Sequence, residues 1–101
     1  MFLAGDLIRA RHRDSLRSET LVKPGDINRY EFTGFNFFSR RIAKGSRVRL
    51  VVRCPNSIYV EKNYNSGGAV AFESGKDART AVVTIHHDDK HPGILELPLG
   101  R

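Results

Sequence analysis

Six consecutive residues, His86-His87-Asp88-Asp89-Lys90-His91, make the densest run of metal-ligating side chains in the sequence. Imidazole and carboxylate together suit divalent transition metals. On a strand, however, His86 and His87 point to opposite faces, so both do not readily serve one ion. His87, Asp89 and His91 converge only if the turn folds tightly, and Lys90 opposes the charge of a cation. The plainer reading is a solvated hairpin loop running into His91-Pro92-Gly93, and no residue is assigned as a metal ligand.

The arginines raise a different chemistry. Arg9, Arg11 and Arg13, with Arg47, Arg49 and Arg53, could line a basic face that follows phosphates. Tyr30, Phe32, Phe35, Phe37 and Phe38 would then be platforms for stacked bases. The segment Thr33-Gly34-Phe35-Asn36-Phe37-Phe38 echoes an aromatic RNA-binding strand, but it departs from that pattern at Thr33, Asn36 and Arg40. Two outcomes separate the readings. Arginines that converge with exposed Phe35 and Phe37 on one groove favour nucleic acid. Buried phenylalanines with dispersed or ion-paired arginines favour a protein-packing module.

Catalytic signatures that depend on tight geometry are absent. No serine is flanked as in the G-x-S-x-G elbow of an α/β-hydrolase: Ser46 directly follows Gly45, while Ser66 and Ser74 precede glycines. Gly75-Lys76 is followed by Asp77 and lacks the earlier glycine of a phosphate loop, and no GxGxxG, HExxH or CxxC occurs. Neither a catalytic nor a cofactor-binding residue is assigned, and no cofactor is expected.

The chain is 101 residues long, 40% hydrophobic and 28% charged, with a net charge of +6 and a pI near 10.0. That length suits one domain at most, and the composition is that of a soluble globular protein rather than a disordered or fibrous one. No apolar run approaches the roughly 20 residues of a membrane helix, and Met1-Phe2-Leu3-Ala4-Gly5 lacks the pattern of a signal peptide. A cytoplasmic protein with no membrane partner is expected. Cys54 is the single cysteine, so there is no internal disulfide; a small, semi-buried hydrophobe is the expectation.

Period-two alternation dominates the elements that would carry these groups. Over Asp6 to Arg13, Leu7, Arg9, Arg11 and Arg13 face one way and Ile8, Ala10 and His12 the other. Tyr30 and Phe32 alternate with Arg29, Glu31 and Thr33, after which Gly34 permits a kink. From Ser46 to Cys54, Val48, Leu50, Val52 and Cys54 oppose Arg47, Arg49 and Arg53. Val82 to Ile85, and Leu95, Leu97 and Leu99, read as two further strands. Turn signals separate these runs: Lys23-Pro24-Gly25-Asp26, a type II pattern, Lys44-Gly45, Asn63 to Gly68, Ser74 to Asp77, and His91-Pro92-Gly93. The best helical candidate, Ser39 to Lys44, is barely one turn. An all-β chain is expected.

Five segments, in order, resemble the C-terminal domain of the cocaine esterase and X-Pro dipeptidyl-peptidase family, which also includes α-amino acid ester hydrolases. They are Gly5 to Ser15, Leu21 to Gly25, Ile42 to Leu50 (with Ser46 where the family has His), Asn63 to Gly67, and His91 to Pro98 (with Gly93 where the family has Ser). The resemblance implies a jelly-roll-like antiparallel β-sandwich of the galactose-binding-like kind. Residues 1–101 would form a single sandwich domain, the later part of the family's domain without its first strands. It also implies a noncatalytic accessory role, packing against an α/β-hydrolase catalytic domain of the same or a partner chain and supporting its substrate cleft. The family's Ser-Asp-His triad lies in that other domain, and no triad residue maps here. A small basic β-barrel binding single-stranded nucleic acid is the alternative, and a carbohydrate- or ligand-binding jelly roll a third reading. The isolated chain is expected to self-associate, because missing strands leave open edges and uncovered apolar surface.

Overall fold

In a computed structural model, every residue except Asn56 and Arg101 is described. The chain divides into two compact units, Met1–Arg53 and Cys54–Arg101. Regular structure among the described residues consists of three single 3₁₀ turns: η1 (Ala10–His12), η2 (Val70–Phe72) and η3 (Gly75–Asp77).

The expectation of an all-β jelly-roll sandwich is overturned. No described residue lies in a β-strand. The Asp6–Arg13 run turns at η1, and the alternating runs at 29–33, 46–54, 82–85 and 95–99 carry no regular structure. The reason is that alternation fixes only which side successive side chains take. A strand also needs a second segment whose amides and carbonyls complete the ladder. Two backbone bonds, from Thr20 N to Arg11 O and from Arg79 N to Tyr64 O, both 2.8 Å, join segments that are apart in sequence. Neither propagates into a ladder. The short helical candidate at 39–44 does not form either.

Burial departs from expectation in the same way. Among the described residues no hydrophobic side chain is buried, and Phe35, Phe37, Phe38, Val52 and Leu97 are all exposed. Cys54 is exposed too, correcting its reading as a semi-buried hydrophobe. The accessible surface is 10184 Å², whereas a folded globular chain of this mass exposes about 5,800 Å².

Order comes instead from polar ties over short spans. In the first unit, Asp26 N donates to Lys23 O (3.2 Å) and Ser46 N to Ala43 O (3.0 Å). Gly25 (φ 86°) and Gly45 (φ 88°) occupy the left-handed position that a type II turn reserves for glycine. A longer tie joins Asp6 to Gly34: Asp6 Oδ1 accepts from the Leu7 amide and Oδ2 from the Gly34 amide, both at 2.8 Å. A Cβ on Gly34 would lie 2.8 Å from Asp6 Oδ1. Gly34 therefore admits the carboxylate rather than kinking a strand.

The second unit is organised by its loop at 63–79. Asn65 takes a left-handed φ of 56°, accepted by Asn more readily than by most side chains. Its amide donates to Asn63 Oδ1 (2.9 Å) and its side-chain Nδ2 to Arg79 O (3.0 Å). Ser66 Oγ accepts from the Gly68 amide at 3.1 Å and donates to Glu73 Oε1. A capping box opens η3: Ser74 Oγ accepts from Lys76 N (3.3 Å) while Ser74 N donates to Asp77 Oδ2 (2.7 Å).

The Asp6–Gly34 tie yields a direct expectation. Asp6→Ala removes the acceptor and Gly34→Ala displaces it, so each should speed hydrogen exchange at residue 34 by about fivefold, the ratio that accompanies loss of a ~1 kcal/mol hydrogen bond. Unchanged exchange in both variants, measured by NMR, would show that the tie does not order this segment.

Candidate functional site

Two polar clusters stand out, one in each unit. In the first, the basic segment folds back on itself around η1. Arg13 is its most enclosed charged side chain, only 8% exposed. One guanidinium nitrogen donates to Ala10 O at 2.9 Å and to Thr20 O at 2.7 Å, and Asp14 lies 3.8 Å from Nε. His12 Nδ1 sits 3.0 Å from Ser15 O. On the far side, Glu19 Oε1 is 3.5 Å from Arg11 and 3.6 Å from His12 Nε2. An open cleft of about 340 Å³ borders this loop, lined by Leu7, Ile8, Arg9, His12, Arg13, Leu16 and Glu31.

This geometry divides the arginines. Arg11 and Arg13 are engaged within their own loop, and Arg29 pairs with Glu31 at 2.6 Å. Arg47, Arg49 and Arg53 are exposed. The phenylalanines are exposed as well, so the criterion drawn from the sequence splits. Ion-paired arginines speak against a phosphate-tracking face, while open aromatic rings speak against a packed core.

The second cluster is the histidine-rich turn. Asp88 Oδ1 accepts from the backbone amides of Lys90 (3.0 Å) and His91 (2.8 Å), closing a tight turn on its own side chain. The His91 amide, with smaller help from Lys90 and the His91 ring, holds the Asp88 carboxyl below its usual value of 3.8. His91 Nδ1 lies 3.3 Å from Oδ1, and His86 Nδ1 lies 3.9 Å from Oδ2. The two imidazoles stand 5.4 Å apart at a 56° tilt. The structure thus gathers His86, Asp88 and His91, where sequence reasoning considered His87, Asp89 and His91. The signal for the observed set was present: residues 86 and 88 share one side of an extended chain.

Comparison with known proteins connects the chain to one curated relative. It is 32% identical over 98 residues, 96% of its length, to cocaine esterase of Rhodococcus sp. (strain MB1 Bresler). The chain resembles a piece of an esterase. It spans 17% of that protein's length. No family model matches it, and no solved structure does. Among the described residues no helix is long and apolar enough to cross a membrane.

The Arg13 clamp predicts a protease phenotype. Arg13→Met keeps most of the apolar stem but removes the nitrogen that donates to both carbonyls. Tryptic cleavage after Arg17 should then accelerate several-fold, with cleavage after Lys62 unchanged as an internal control. Equal rates at Arg17 in both proteins would show that the clamp does not hold the loop.

Proposed function

We propose that this chain is a noncatalytic accessory region of a serine hydrolase related to cocaine esterase, whose reacting groups lie outside these 101 residues. The observation that carries the reading is the similarity to cocaine esterase across 96% of the chain. The lack of a nucleophile elbow in the sequence agrees with a supporting rather than a chemical part.

Exposed apolar side chains give the supporting part a physical basis. The surface in excess of a folded chain's expectation is larger than a partner contributes to a standard protein–protein interface, roughly 800 Å². A catalytic domain packed over Phe35, Phe37, Phe38 and their apolar neighbours would remove that surface from water, at roughly 25 cal/mol per Å² of apolar area. Support of the substrate cleft is the role that such packing would serve. Without that cover, the same surface drives the chain to associate with itself.

The decisive experiment is a chimera in which this chain replaces the matching 98 residues of cocaine esterase. The chimera should be soluble and hydrolyse a nitrophenyl ester, whereas the esterase lacking that segment and the isolated chain should not. An inactive or insoluble chimera, or turnover by the isolated chain, overturns the reading.

Light scattering provides a separate check on the exposed surface. The isolated chain should grow in mean mass as its concentration rises; a constant monomer mass would remove the argument from exposed apolar area. A nucleic-acid role is the second reading, favoured by the exposure of Phe35, Phe37 and Phe38 and of Arg47, Arg49 and Arg53. Affinity for single-stranded RNA that falls steeply with added salt would support it over the accessory role.

A further inference from the structure

We propose that His86, Asp88 and His91 form a binding site for a divalent transition metal, with zinc as its representative, independently of any hydrolase role. Each residue offers one ligand atom, and the three atoms lie within 4.8 Å of one another. In a tetrahedral zinc site with bonds of about 2.1 Å, neighbouring ligand atoms stand about 3.4 Å apart. The required contraction is small, and the side chains have room for it: they are 36%, 58% and 41% exposed.

The backbone already ties Asp88 to His91, two of the three. Two amides fix Asp88 Oδ1, which orients the carboxylate as supporting hydrogen bonds do around a metal. Pro92 follows His91 and confines its backbone to extended conformations, so the second imidazole is delivered from a restricted hinge. The two ring planes are tilted rather than stacked, which lets nitrogen edges converge. Two neutral imidazoles and one carboxylate form a borderline donor set that prefers zinc, nickel or copper over magnesium or calcium. The neighbouring Asp89 and Lys90 side chains carry opposite charges, leaving the Asp88 carboxylate as the local excess. Three protein ligands leave a fourth position for water.

The test is a zinc titration of the full chain followed by NMR of its four histidine rings. Saturable binding of one ion should perturb His86 and His91 while leaving His12 and His87 in place. Asp88→Asn and His91→Ala should each weaken binding at least tenfold, a loss on the scale seen when metal-site residues are altered, and His87→Ala should not. Because mapping on the unaltered chain reads the site without any substitution, misfolding of a variant does not decide the outcome. Binding only at millimolar zinc, equal perturbation of all four rings, or full affinity in Asp88→Asn would each overturn the proposal.

Discussion

A polypeptide that leaves most of its large apolar side chains in water must find its order elsewhere, and here that order is supplied by hydrogen bonds to charged and polar side chains. Asp6 joins residues 7 and 34, Arg13 joins 10 and 20, Asn65 reaches 79, and Asp88 closes its own turn. Net gains from such bonds are small individually, and side chains open to water compete with solvent for every one of them. The dominant stabilising term in ordinary folding, apolar burial, is used only in part: among the described residues Leu3, Ile8, Val60 and Val70 are half-buried and no hydrophobic side chain is fully buried. This imbalance gives the proposed packing against a larger protein its driving force.

The two polar clusters differ in what they leave free. Around η1, the polar groups satisfy one another: Arg13 serves two carbonyls, and Glu19 lies beside both Arg11 and His12. Such a loop defines a conformation and bounds a cleft. In the histidine-rich turn, one carboxylate oxygen is occupied by amides while the imidazoles remain open to solvent. The first arrangement is internally complete, and the second has donor atoms to spare.

What the sequence revealed followed the range of the interactions. Lys23-Pro24-Gly25-Asp26, Lys44-Gly45, Asn63 to Gly68 and Ser74 to Asp77 all lie where the chain turns or bends, because the residues responsible lie side by side. Strands were read from alternation, a β-branched run and the turn signals between runs, yet pairing depends on segments far apart, and nothing in Val48-Arg49-Leu50 specifies a neighbour. Cys54 failed for the same reason: burial belongs to the surroundings, which one residue's type does not determine. The Asp6–Gly34 contact was also illegible, since a glycine read as a kink gives no hint that a carboxylate 28 positions away occupies the space its missing side chain leaves. For the histidine cluster the residues were legible and their grouping was not; it emerged from the turn that Asp88 builds.

The 63–79 loop carries a consequence of its own. Tyr64 and Arg79 meet through a backbone bond, with Asn65, Ser66 and the Ser74–Asp77 box filling the interval. Closing so short a segment takes far less than a millisecond, and costs less chain entropy than closing a longer one. Every partner in these bonds is supplied by its own stretch of sequence, so the closure of 63–79 that they make draws on no residue outside those seventeen.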